Sequence, residues 1–390
     1  MAGVYIHSPF CRQKCGYCNF YSVTDIEKKS QYIDALISEI ILRCPVKTGH
    51  APSLPIETVY FGGGTPSLLD VSDIVKIFET LQNHFLFSET MEITFEGNPE
   101  TLTKNYLENL RKHTPINRLS IGVQSFFEKD LQYLNRKHSP KQALESIENA
   151  QKLGFERLSI DLIYGIPTST DEMWKENLKT FFSLDISHLS AYALTIEPDT
   201  LLHEQIHGRD VARSLSGVEV CNVSTIIEKK NEQHYLILRE QLKHHNFEAY
   251  EISNFCKNKH YSKHNSNYWN RSEYYGFGAS AHSFSNNCRS WNVADVNAYI
   301  SAINEKKLPC ETEILTKEMQ YNEYVMTAIR TQWGISQKTI QTNFSEFFQH
   351  FQDAVAQLPT DWIVSENETI ITTEKGALFA DLIAEKLFIL

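Results

Sequence analysis

The chain has 390 residues, 42% of them hydrophobic, which is enough for one large domain and a smaller second one. Its formal net charge of -11 argues against nucleic acid or an anionic membrane as the main partner, because both call for basic patches. No apolar run approaches the ~18 residues of a membrane span, a polar cysteine-bearing loop occupies the place of a signal peptide's apolar stretch, and eight cysteines are too few for a disulfide framework, so a reduced, cytoplasmic protein is expected.

A β-type run, Val4-Tyr5-Ile6-His7, leads directly into Cys11, Cys15 and Cys18, with no fourth cysteine in the next twenty-five positions. Thiolates this close together suit a soft metal centre, and iron–sulfur clusters are usually held by four. Three suggest a cluster with one iron left open to chemistry or to an exchangeable ligand, whereas a structural zinc site wants a closed set of four. A zinc site completed by His7 or the distant Cys44 is the competing reading of the spacing.

A helix is expected near 27–43, where Tyr32, Ile33, Leu36, Ile37, Ile40 and Ile41 recur at helical spacing. A Pro-containing turn around 51–55 precedes Thr58-Val59-Tyr60-Phe61, followed by a helix near 70–84. Further strands are expected at Met91 to Glu96, Leu119 to Val123, Leu158 to Ile163 and Leu189 to Leu194. Six strands separated by helices predict a parallel α/β fold.

The polar and glycine-rich residues gather at the trailing ends of these strands. The cysteine loop follows the first, Gly62-Gly63-Gly64-Thr65-Pro66-Ser67 the second and Glu96-Gly97-Asn98-Pro99 closes the third, while Gln124 ends the fourth, Asp161 lies in the fifth and Thr195 ends the sixth. In a barrel of parallel strands the carboxyl ends form one mouth, where active sites are built. Three consecutive glycines let backbone approach a ligand closely, the plainer alternative being a tight turn. Glu96 and Asp161 are either binding groups or buried carboxylates paired to an arginine such as Arg136.

Beyond about residue 210 the alternation stops. A helix from roughly Val218 to Lys243 leads to Glu248 through Phe255 and then to His264-Asn265-Ser266-Asn267-Tyr268-Trp269. From about Glu311 the chain reads as helices, a turn-linked hairpin near Ile363 to Thr373 and a final helix. The expected division is a core at 1–230, an extension carrying the His-Asn segment at 231–310 and a small C-terminal domain at 311–390.

Cys-x3-Cys-x2-Cys is the signature of radical S-adenosylmethionine proteins. Tyr5-Ile6-His7-Ser8-Pro9-Phe10-Cys11 with Cys15-Gly16-Tyr17-Cys18-Asn19-Phe20-Tyr21 resembles the opening of the branch that contains oxygen-independent coproporphyrinogen III oxidases and HemW-type heme chaperones. The resemblance runs through nearly the whole chain. It implies a partial (β/α)6, TIM-like barrel with a small, mainly helical, winged-helix-like C-terminal domain. It also implies a 4Fe-4S cluster on Cys11, Cys15 and Cys18, with S-adenosylmethionine completing the open iron so that one electron cleaves a carbon–sulfur bond. By motif matching, Tyr5, Tyr17, Gly63, Glu96 and Thr195 fall to the first adenosylmethionine, and Gly64, Thr65, Gln124, Arg136 and Asp161 to a second one held in the oxidase branch.

Two departures choose within the branch. Oxidases carry a further cysteine two positions after the third, here Phe20, and an N-terminal extension, whereas here only Met1, Ala2, Gly3 and Val4 precede Tyr5. Both point to the chaperones, although Gly16 and Asn19 stand where proline and aspartate are expected in that subgroup. The segment from His264 to Trp269 resembles the His-Asn-x-x-Tyr-Trp motif associated with heme binding: a neutral imidazole is a good axial ligand, and Tyr268 and Trp269 could pack on a porphyrin face. The plainer alternative has His264 capping a loop and the aromatics filling the gap between barrel and C-terminal domain, with His282 a second candidate ligand near the same mouth. The expected function is therefore a heme chaperone that holds a cluster, adenosylmethionine and one heme, with a heme-accepting protein and an electron donor as partners. Its rival is a coproporphyrinogen dehydrogenase performing radical decarboxylation of propionates, and behind that a radical enzyme acting on another tetrapyrrole.

Overall fold

The computed structural model describes residues 2–44, 55–206 and 223–389. Most of the turn expected at 51–55, the start of the helix expected from Val218, and Cys221 lie outside these residues.

Six parallel strands form the frame: β1 (Ala2–Ser8), β2 (Ile56–Gly63), β3 (Phe87–Gly97), β4 (Arg118–Gln124), β5 (Arg157–Tyr164) and β6 (His188–Ala193), each paired with the next. Their period-two alternation splits the barrel into an apolar shell and a polar interior. Val4 and Ile6, Val59 and Phe61, Ile93 and Phe95, Leu119 and Ile121, Ile160 and Leu162 pack in one core with apolar stripes of the helices Lys29–Arg43, Val71–His84, Lys104–His113, Pro140–Lys152 and Asp171–Ser183. The intervening positions are Tyr5 and His7, Thr58 and Tyr60, Thr94 and Glu96, Ser120, Asp161 and Ser190. Several bond to one another across neighbouring strands, as Tyr60 does to Glu96 and Ser120 to Asp161.

Local signals set the helix starts. Ser139 and Gln142 form a reciprocal capping box with Pro140 at the first helical position, and the hydroxyls of Thr103 and Thr170 accept the backbone N–H groups of Tyr106 and Met173.

The sheet does not stop at six strands. β7 (Glu248–Ala249) and β8 (Asn254–Cys256) continue it antiparallel beyond β6, while β9 (Glu273–Phe277) lies parallel to β1 and is followed by β10 (His282–Ser285), β11 (Cys288–Asn292) and β12 (Cys310–Ile314). The segment that the sequence pattern left without strands thus supplies both margins of a sheet with twelve strands among the described residues. Further on, the helices Lys317–Ala328, Gln337–Asn343, Phe348–Ala356 and Ala380–Leu387 enclose a second core of Tyr321, Val325, Ile329, Ile340, Phe351, Ile383 and Leu387. A small sheet of β13 (Ile335–Ser336), β14 (Ile363–Glu366) and β15 (Thr369–Thr372) completes that unit, and the expected hairpin turns at Asn367 and Glu368, both at positive φ. No helix among the described residues is long and apolar enough to cross a membrane.

Candidate functional site

The cysteine loop is pinned at its ends and along its length. The Cys11 N–H donates to Val23 O at 2.9 Å and the Val23 N–H to Pro9 O at 2.8 Å, closing the loop on itself. Gly16 N–H donates to Leu134 O and Asn135 Nδ2 to Lys14 O, tying the loop to the segment after the helix Glu128–Tyr133, and Leu202 N–H donates to Gly16 O, tying it to the chain beyond β6. Cys11, Cys15 and Cys18 are partly exposed thiols outside any disulfide, and burial raises Cys11 and Cys18 above the usual thiol range. A cation placed among them would reverse that shift. His7, the alternative zinc ligand, is buried with Nδ1 bonded to Tyr5 Oη at 3.1 Å and Nε2 to Tyr21 O at 3.1 Å.

Arg136 organises the strand ends around this loop. Its Nη2 donates to Gly122 O at 2.7 Å and to Asn98 Oδ1 at 2.8 Å, and its Nη1 points at Cys15 Sγ at 3.4 Å. Asn98 Nδ2 donates to Thr65 Oγ1 at 3.1 Å, and Thr65 donates in turn to Cys11 Sγ at 3.5 Å. One guanidinium therefore reaches two sulfurs, directly and through two side chains. Burial works against its charge, but Tyr17, Cys15 and Glu100 outweigh it and raise Arg136 above its ordinary value. Asn98 escaped assignment in the sequence although its tetrapeptide was singled out; its place after β3 was the available signal. Gln124 ends β4 at a φ of +65°, turning the chain toward the same cluster of groups.

The glycine triplet answers first to the chain's own packing. Gly63 has a φ of +106°, and a Cβ there would lie 2.6 Å from the His7 ring; at Gly64 it would lie 2.8 Å from Phe10 O. These glycines let the end of β2 rest against the turn that launches the cysteine loop.

Deeper in the barrel, Tyr60 donates to Glu96 and stacks on Tyr5 at 6.1 Å, and Ser120 donates to Asp161 at 3.1 Å. Burial pushes Glu96 up to about 7, with Asp161 adding to the rise, and burial pushes Asp161 up to about 6 against the hydrogen bonds of Ser120 and Ser190. Among the described residues, Arg136 makes its close polar contacts with Asn98, Gly122 and Cys15 and not with the two carboxylates, although its charge and that of Arg118 act on Asp161 from further away. Tyr17 packs beside Leu134, Ile163 and Leu194, and Thr195 is exposed just past β6.

The segment from His264 to Trp269 forms a short helix, Lys263–Trp269, whose first turn is capped by Ser262. Spacing of i and i+4 sets His264 and Tyr268 on one face. His264 is buried: Nδ1 lies 2.8 Å from Thr58 Oγ1, Nε2 lies 2.9 Å from Tyr268 Oη, and the ring stacks on Tyr60 at 4.8 Å. Desolvation lowers this imidazole to about 3. Asn265, Tyr268 and Trp269 line a cavity of about 920 Å³ together with Tyr60 and Tyr192 of the barrel and Arg330 of the C-terminal unit. His282 lies elsewhere, exposed on β10, facing Trp291 at 6.1 Å in a separate groove of about 610 Å³.

Residues 5–181 match the Radical SAM superfamily. The heme chaperone HemW of Bacillus subtilis (strain 168) is 32% identical over 389 residues, covering 98% of this chain and 97% of the relative, and that of Lactococcus lactis subsp. lactis is 30% identical, covering 98% and 96%. In structure the chain is similar to coproporphyrinogen III oxidase (HemN) from Escherichia coli, described as a radical SAM enzyme. The TM-score is 0.80 at 22% identity, covering 99% of this chain and 90% of the other, and it establishes the shared fold. Membership of the superfamily implies a 4Fe-4S cluster and S-adenosylmethionine. With a match end to end at this level of identity, the chain belongs to the HemW heme-chaperone family of the radical SAM superfamily.

Proposed function

We propose that this protein is a cytoplasmic heme chaperone: it takes one heme into the cavity between barrel and C-terminal unit and passes it to an acceptor protein. The observation that carries this is the coincidence of place. Asn265, Tyr268 and Trp269, singled out by pattern, line an aromatic cavity of about 920 Å³, within the size range of ligand sites and continuous with the barrel interior through Tyr60 and Tyr192. Its resemblance to full-length relatives named as heme chaperones supports the same reading.

Cys11, Cys15 and Cys18 are the residues that would hold the cluster. The donor set fits: three thiols on one pinned loop, with Thr65 and Arg136 directed at two of the sulfurs, as hydrogen bonds and positive charge tune such centres. Tyr5, Tyr17, Gly63, Glu96 and Thr195 would surround one adenosylmethionine, and Gly64, Thr65, Gln124, Arg136 and Asp161 a second. When bound, cluster and adenosylmethionine supply one-electron cleavage of a carbon–sulfur bond. The protein's part is to orient and to shield. Glu96 and Asp161, which burial pushes up to about 7 and about 6, would be favoured in their charged form by a cationic ligand. We divide the chain into a core at 1–230, an extension at 231–310 that supplies the sheet margins except for most of β12, and a C-terminal domain at 311–390. An electron donor and a heme acceptor are the partners this scheme requires.

The rival reading, a coproporphyrinogen dehydrogenase, draws on the fold shared with HemN. Anaerobically reconstituted protein supplied with adenosylmethionine, reductant and coproporphyrinogen III, with a parallel hemin titration, decides between them. Tight binding of one heme without carbon dioxide release is the expected result; protoporphyrinogen formation would replace the chaperone by the dehydrogenase.

A further inference from the structure

His264 is the obvious candidate to ligate heme iron, yet both of its ring nitrogens are engaged inside the protein. Nδ1 faces Thr58 Oγ1 at 2.8 Å and Nε2 faces Tyr268 Oη at 2.9 Å, while Tyr60 covers the ring at 4.8 Å. A neutral imidazole has one N–H, so one nitrogen donates and the other accepts. With the hydrogen on Nδ1, Thr58 is the acceptor and Nε2 receives the hydroxyl of Tyr268. An iron could reach His264 only by displacing Thr58 or Tyr268, both of which pack against it.

Tyr268 stands between this buried histidine and the open space. It lines the cavity of about 920 Å³, and its ring is held edge-on against His264 at 5.0 Å and 88° and against Tyr274 at 4.8 Å and 85°. The position of its oxygen is therefore fixed on both sides. Among the described residues, those that line this cavity include no His or Cys, and no group of three or more His, Cys, Asp or Glu side chains is placed there to hold a bare metal ion. A metal entering this cavity must bring most of its ligands with it. Heme does so, needing one axial donor from the protein, and tyrosine is an established donor to ferric heme.

We infer that Tyr268, rather than His264, is the axial ligand to ferric heme in this cavity, and that His264 is the positioning residue that aims the tyrosine oxygen while staying neutral itself. The inference rests on the reading of the cavity as the heme site. In the binding step the Tyr268 O–H bond breaks, the iron–oxygen bond forms and the proton leaves to solvent in the cavity, with no change in oxidation state. Thr58 on β2 and Tyr268 thus hold the imidazole from its two sides.

The test is resonance Raman and electron paramagnetic resonance of the full chain, cluster in place, loaded with hemin. Wild type should show phenolate–iron vibrations. Tyr268→Phe should lose them and bind hemin about tenfold more weakly, and His264→Gln should shift the phenolate bands without abolishing them. An unaltered spectrum and affinity in Tyr268→Phe would overturn the assignment, as would a histidine-ligated spectrum that His264→Gln alone removes. Those failures leave the heme site standing. Absence of saturable hemin binding to the wild type, or binding indifferent to Trp269→Ala, would instead remove the site on which the assignment rests.

Discussion

The cysteine loop and the His264 helix are both polar, aromatic-flanked segments with a recognisable pattern, but they hold their key side chains in opposite ways. The loop keeps three thiols partly exposed and spends its backbone hydrogen bonds on staying in place. The helix buries its histidine and leaves the neighbouring tyrosine and tryptophan toward the cavity. Three thiols within eight residues can be read from spacing alone, whereas the setting of a residue whose partner, Thr58, lies 206 positions away is fixed by packing.

The largest expected effect lies at the loop. Cys15→Ala should abolish the visible iron–sulfur absorption of anaerobically reconstituted protein, while replacing Cys44, Cys221, Cys256, Cys288 or Cys310 should leave it intact; a normal cluster in Cys15→Ala would end the comparison. Next comes Gly63→Ala, which forces a side chain into a left-handed conformation and against the His7 ring. It should lower stability by about 2–4 kcal/mol in denaturant unfolding and disturb the cluster, although no ligand is touched. At the cavity, Trp269→Ala should weaken hemin binding about tenfold with the cluster spectrum unchanged; loss of both together would show that the two regions are not separable.

A smaller effect should appear in pH dependence. Folding raises Glu96 from an ordinary carboxyl value to about 7, so the folded protein binds its proton more tightly than the unfolded chain does. The stability this contributes is fully present below about pH 4.5 and is lost as pH rises through 7. Glu96→Gln should therefore gain stability over the wild type progressively across that window in thermal melts of the cluster-free chain; a constant offset would mean that Glu96 does not titrate there. Smallest of all, Thr65→Val removes the hydroxyl at Cys11 Sγ and should shift the reduction potential of the cluster, with ligand count unchanged.

The six parallel strands were legible because each carries enough alternation to announce itself, and the glycine turn because three glycines in a row have few other uses. The margins of the sheet were not. β7 and β8 are two and three residues long, too short for any period, and become strands because β6 leaves an open edge for them. β9, Glu-Tyr-Tyr-Gly-Phe, has no helix-spaced partner run to mark it as a parallel strand, and its place beside β1 follows from the return of the chain across the barrel. The cysteine loop could be singled out from spacing, but Asn98 could not: its place is between Arg136 and Thr65, which a linear sequence does not bring together.

The pairing of β1 with both β2 and β9 also orders events in time. The strand that launches the cysteine loop is made long before β9, one of its two neighbours, which is not complete until residue 277. At about 5–20 residues per second β1 waits roughly 15–55 s for that partner. During that interval the three thiols are tethered to an unfinished barrel, so delivery of iron and sulfide belongs after synthesis of the chain is well advanced, when a closed mouth exists to receive them.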